Sequence, residues 1–66
     1  MPNLKNIREK KGLSQVQLAV MLGVTQGSIS AWETGRWEPS LDMIRRIAQI
    51  FGVTVDELIG DDEEDR

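Results

Sequence analysis

The chain has no histidine and no cysteine among its 66 residues. The commonest general bases, the thiol nucleophile and the soft metal ligands are therefore missing. No Gly-rich phosphate loop occurs, and the closing acidic run lacks the Asp-x-Asp-x-Asn-Gly spacing of a calcium loop. The sequence thus predicts no enzyme, no metal site and no cofactor. What remains are neutral hydrogen-bonding groups and a few cations. Their most distinctive grouping lies in "TQGSISAWETG", residues 25–35. At about 100° per residue, Ile29 and Trp32 share one side of a helix, while Gln26, Gly27, Ser30 and Ala31 share the other. That outer side is nearly bare except for one long amide, a group that both donates and accepts.

Positioning such a face requires firm helix ends, and the sequence supplies them repeatedly. An apolar residue, a capping residue and a second apolar residue five places after the first recur as Leu13/Ser14/Leu18, Val24/Thr25/Ile29 and Val53/Thr54/Leu58. The Ser or Thr oxygen accepts an orphan backbone N–H, and the apolar pair forms a staple. Gln17 and Glu57 stand three residues after their caps, completing two capping boxes. Asn3 and Ser40 are further candidate caps, and Gly12, Gly23, Gly35 and Gly52 fall where helices should end. The pattern predicts an all-α chain: a compact bundle of five short helices over roughly 4–11, 15–22, 26–33, 41–51 and 55–59. The fourth helix is the broadest apolar surface and is expected at the centre. Only Gly23, Val24 and Thr25 join the second helix to the third, a link tight enough for a helix-turn-helix corner.

Charge divides the chain in two. Residues 1–60 hold seven bases and six acids, whereas residues 61–66 hold five acids and one base. The expected organisation is one folded domain over 1–60 and a disordered acidic tail over 61–66. A balance near +1 is weak for a protein that must approach phosphates, so a single copy should bind nucleic acid poorly. No apolar run reaches the roughly 18 residues of a membrane span, and the N-terminus lacks a signal-peptide core. With no cysteines, the expected compartment is the cytoplasm.

Taken together, "LSQ", "LA", "LGV", "IS-WE-G", "P", "IA", "FGV" and "DEL", at these spacings from about Leu4 to Gly60, closely resemble the lambda-repressor-like (Cro-like) helix-turn-helix family of bacterial and phage regulators. The resemblance implies a sequence-specific DNA-binding transcriptional regulator, a repressor, acting as a homodimer on a near-palindromic operator of double-stranded DNA. By that analogy helix 26–33 enters the major groove. Gln26 can pair with N6 and N7 of adenine, Ala31 can touch a thymine methyl, and Gly27 and Ser30 complete the base-facing set. The plain alternative is a solvent-facing side of small residues. Phosphate contacts are expected from Gln15 at the start of the second helix, from Thr25 and Ser28, from Arg36 and Trp37 in the loop after the third helix, and from Ser40 at the start of the fourth helix. For Trp37 a fold over the core edge is an equal alternative. Arg8 and Glu33 resemble the family's ion pair between the first helix and the end of the third.

The sequence departs from the family pattern in two places. Relatives often carry long polar side chains where Gly27 and Ala31 stand, so direct base readout should be sparse and discrimination modest. Val16, Val20 and Met21 lie opposite the core side of the second helix, where relatives usually have polar groups. Plain surface is one reading of them; the other is a contact patch for a second protein, which would make the chain an antitoxin-like or adaptor interaction module. A dimer contact is expected around Phe51, Val55 and Ile59, Arg45 and Arg46 are expected to be solvated, and Lys10 and Lys11 to be a solvated pair complementing the helix dipole.

Overall fold

The computed structural model describes residues 1–60; the expected acidic tail, 61–66, lies outside the described residues. Five helices occur in order: α1 (Leu4–Lys10), α2 (Gln15–Leu22), α3 (Gln26–Thr34), α4 (Leu41–Phe51) and α5 (Val55–Ile59). Among the described residues there is no strand. Among the described residues no helix is long and apolar enough to cross a membrane.

The caps explain why the helices begin where they do. Ser14 accepts from Gln17 N while Gln17 Oε1 accepts from Ser14 N at 2.8 Å, and Thr54 and Glu57 repeat the arrangement. Thr25 and Ser40 accept from Ser28 N and Met43 N at the starts of α3 and α4. Asn3 departs from expectation: it makes no side-chain cap, and its amide instead donates to Glu57 O at 2.8 Å, tying α1 to α5. Gly23 ends α2 with φ 72°, a left-handed conformation that a Cβ would penalise. The chain can therefore reverse within three residues and start α3 at once.

The core gathers one side of every helix: Leu4, Leu18, Ala19, Leu22, Ile29, Trp32, Ile47, Ala48, Phe51 and Leu58. Met1 joins them, a burial that no periodic pattern announces. Helix α2 packs closely on α3, and α4 on α5, while α1 touches both α3 and α5. Helix α4 gives Ile47, Ala48 and Phe51 to the core and also reaches the end of α2 through Arg46. Phe51 is buried, which removes it from the expected dimer contact; Val55 and Ile59 remain partly accessible. Arg46 is not simply solvated: its guanidinium donates to Leu22 O at 3.1 Å and Met21 O at 3.4 Å. It supplies a cation and donors to the C-terminal end of α2, where carbonyls lack helical partners.

Candidate nucleic-acid interface

One hydrogen-bonded chain runs from the buried interior to the outer end of α3. Arg8 is buried between α1 and α3, with Nε 2.6 Å from Glu33 Oε2 and Nη2 3.3 Å from Glu33 Oε1. Its remaining terminal nitrogen donates to Leu13 O at 2.7 Å. The hydrogen bond to Glu33, reinforced by the carboxylate's charge, raises the Arg8 pKa against the opposing cost of burial. Glu33 Oε1 also accepts from Gln15 Nε2 at 2.9 Å, and Gln15 Oε1 accepts from Gln26 Nε2 at 3.3 Å. The fork of one arginine thus fixes a carboxylate, which orients one amide and through it a second.

Gln26 and Gly27 are exposed at the start of α3, and Ser30 is half-buried one turn on. A Cβ on Gly27 would meet nothing closer than Thr25 Oγ1 at 3.7 Å, so the bare outer side there is open space. Ala31 does not belong to this face. It is 4% exposed, and its carbonyl oxygen accepts from the Arg36 and Trp37 N–H groups at 2.9 and 3.3 Å where the chain reverses at Gly35. The expected thymine-methyl contact from Ala31 is therefore corrected: a residue this buried presents almost no surface.

The expected phosphate-facing groups divide by their engagement. Arg36 is exposed and Trp37 is 62% exposed, so Trp37 does not fold over the core edge. Gln15 is half-buried, with both ends of its amide already in the network. The Thr25 and Ser28 hydroxyls lie 3.1 Å apart, and the Ser40 hydroxyl accepts from Met43 N at 3.2 Å. Gln15, Gln26 and Gly27 are brought together at the meeting of the α2 and α3 N-termini, while Arg36, Trp37 and Ser40 lie beyond the other end of α3. No group of three or more acidic residues among the described residues is placed to hold a metal ion.

Sequence reasoning missed Met1, whose α-ammonium donates to Trp32 O at 2.8 Å, and the cap provided by Arg46. An arginine beside α2's open carbonyls has no sequence signal, because the contact spans 24 residues.

Residues 4–58 match the helix-turn-helix family. The chain is 40% identical over 60 residues to the HTH-type transcriptional activator BcrR of Enterococcus faecalis, covering 91% of this chain and 29% of that protein. It is 40% identical over 62 residues to an uncharacterized HTH-type transcriptional regulator of Methanocaldococcus jannaschii, covering 92% of this chain and 94% of the relative. With the cryptic phage CTXphi transcriptional repressor RstR of Vibrio cholerae it shares 30% identity over 60 residues, 91% of this chain and 54% of the repressor. The paired α2–α3 corner, the capped and exposed start of α3 and this match over nearly the whole fold lead to one assignment: the chain belongs to the helix-turn-helix family of DNA-binding transcriptional regulators.

Proposed function

We propose that the chain is a repressor that reads a near-palindromic operator as a homodimer, with α3 in the major groove. The observation that carries this reading is the exposed Gln26–Gly27 pair at the start of α3, held through Gln15 to the buried Arg8–Glu33 strut. Gln26 presents a donor and an acceptor suited to the major-groove edge of adenine. Gly27 and Ser30 let the helix approach closely. Backbone contacts come from Arg36, Trp37, Thr25, Ser28 and Ser40, and from Gln15 through the amide it shares with Gln26. With Ala31 withdrawn, three residues are left to read bases, and specificity leans on DNA shape and on pairing of half-sites. Occupying a site is enough to deny it to other proteins, which favours repression over activation; activation needs an additional contact.

Two copies answer the weak charge of residues 1–60, seven bases against six acids. Twofold symmetry would place the two recognition helices about 34 Å apart in successive grooves. The accessible parts of Val55 and Ile59 are the proposed contact. Selecting bound duplexes from a random DNA pool tests the whole reading. Recovery of a symmetric site with such a half-site spacing supports it; recovery of no enriched sequence overturns it.

A second reading rests on α2, where Val20 is 76%, Val16 51% and Met21 44% exposed. A partner protein seated there would make the chain an adaptor or antitoxin-like module. Salt separates the two readings: DNA affinity falls steeply as salt rises, whereas an apolar contact changes little.

A further inference from the structure

The helices form two close pairs, α2 with α3 and α4 with α5, and α1 touches one member of each. The first pair carries the base-reading face; the second carries the proposed contact between copies. Apolar packing joins the pairs, since Ile47 and Phe51 share the core with Leu18, Leu22 and Ile29. Such packing is non-directional and sets closeness more than angle. Hydrogen bonds are directional. Among the described residues, those that cross directly from one pair to the other all come from Arg46.

The carbonyls at the end of α2 define the task of that side chain. Gly23 and Val24 turn their N–H groups back to Ala19 O and Val20 O. The next two carbonyls, Met21 O and Leu22 O, accept from the Arg46 guanidinium at 3.4 and 3.1 Å. The last turn of α2 contains no basic side chain of its own. A planar fork on α4 thus takes both carbonyls at the entry to the α2–α3 turn. Its backbone is fixed by the next residue, Ile47, which is fully buried. From Leu22 only Gly23, Val24 and Thr25 lead to Gln26, so a shift at this hold is carried into α3. Arg46 itself is exposed, and replacing it opens no cavity in the core. Pairing magnifies a small change of angle. Two recognition helices about 34 Å apart must enter successive grooves together, so tilting the corner against the pairing face changes the spacing that fits.

We propose that Arg46 is a positioning residue for operator recognition: by holding the last two carbonyls of α2 it fixes the angle of the α2–α3 corner on the α4–α5 pair, and so sets the half-site spacing that two copies accept. The spacing claim rests on the homodimer reading, whereas the hold on α2 does not. Arg46→Met removes the donors and keeps most of the stem. Arg45→Met removes the same charge from the exposed neighbouring position, so it reports the loss of phosphate attraction alone. The full chain and both variants are titrated, below their melting transitions, on the selected operator and on versions with the half-sites moved closer or further apart. Hydrogen exchange of the Val24 amide, which donates to Ala19 O at 3.0 Å, is read without DNA. Arg45→Met should lower affinity evenly and keep the wild-type spacing preference. Arg46→Met should flatten that preference about fivefold or more and speed Val24 exchange about tenfold. Arg46→Lys, with one ammonium for two carbonyls, should fall between. A spacing preference in Arg46→Met within about twofold of that in Arg45→Met overturns the spacing claim, and unchanged Val24 exchange overturns the hold. A wild-type chain with no spacing preference instead overturns the homodimer reading and the spacing claim with it, while Val24 exchange still decides the hold.

Discussion

Gln26 Nε2 lies 3.3 Å from Gln15 Oε1, joining the first residue of α3 to the first residue of α2. Gln15 is held from behind by Glu33, so the exposed Gln26 amide is oriented by a chain that ends at a buried guanidinium. Orientation matters because a bidentate amide–adenine pair needs its donor and acceptor in fixed positions before the DNA arrives; freezing the side chain at contact would cost about 0.5–1.5 kcal/mol.

That arrangement separates the roles of the two glutamines. Gln26→Ala should lower affinity for the selected operator by about 1–3 kcal/mol and flatten preference at one base pair per half-site. Gln15→Ala should weaken binding to all duplexes more evenly, because its proposed contact is with the backbone. Anisotropy titrations on a panel of single-base operator variants check both. A uniform loss from Gln26→Ala would remove it from base readout.

The same panel tests how thin the readout is. With Ala31 enclosed, the proposed base readers on the outer side of α3 are reduced to Gln26, Gly27 and Ser30. Affinity should fall sharply at fewer than four positions per half-site, with shape-dependent effects at the others. Sharp losses at four or more would require readers that these three residues cannot supply.

Arg8 and Glu33 set the stability of the whole arrangement. Arg8→Ala leaves a buried carboxylate without its partner, and a loss of about 3–5 kcal/mol is expected, most of the stability of a domain this small. Arg8→Lys should rescue it only in part, because one ammonium cannot make the two-pronged contact and reach Leu13 O as well. Urea unfolding measures both. The raised Arg8 pKa also fixes a sign. A cation whose folded pKa lies above its unfolded value contributes fully below the unfolded value and loses that contribution only as pH rises through the folded one. No step from Arg8 should therefore appear between about pH 7 and about pH 10.

The strut and the caps are legible in the sequence for different reasons. Ser14 with Gln17 and Thr54 with Glu57 are local, so spacing alone places both partners. Arg8 and Glu33 lie 25 residues apart; their pairing is visible through the family pattern and not through periodicity. Ala31 is misplaced by a helical wheel, which records direction within the helix but not the path of the chain beyond it. Asn3 escapes local reasoning too: its backbone is helical rather than extended, so its side-chain oxygen makes no cap, while its amide N–H donates to a tertiary partner, Glu57 O. Met1 and Arg46 depend on long-range packing that has no period in the chain, whereas the burial of Phe51 follows the i, i+3, i+4, i+7 spacing of Ile44, Ile47, Ala48 and Phe51.

Gly27 offers a test in which stability and affinity should move in opposite directions. The site is exposed and carries no positive φ, and a Cβ would have only an ordinary contact at 3.7 Å. Gly27→Ala should therefore stabilise the fold by up to about 1 kcal/mol, through helix propensity and a less flexible unfolded chain. The same methyl would stand between α3 and the groove floor, so operator affinity should fall. Thermal melting and operator titration on one preparation check the pair. A melting gain with unchanged affinity would mean that the helix does not approach DNA at Gly27.

The outer face of α2 decides between the two proposed readings. Val16 and Val20 are one turn apart and exposed, with Met21 beside them. Isolated apolar groups on a surface need no partner, but three neighbours can form a contact. Val16→Gln with Val20→Gln makes the face polar without adding charge that DNA would repel. If the dimer forms through Val55 and Ile59, sedimentation should give the same mass for the wild-type and doubly substituted chains, while Ile59→Glu should shift the population toward monomer. The substituted α2 face should also leave the salt dependence of DNA binding intact, since that slope counts phosphates neutralised. Dissociation of the dimer by the α2 substitutions would instead make α2 the surface between copies. In that arrangement the N-termini of α2, α3 and their twofold mates would have to reach DNA from a different spacing, which the selected operator would reveal directly.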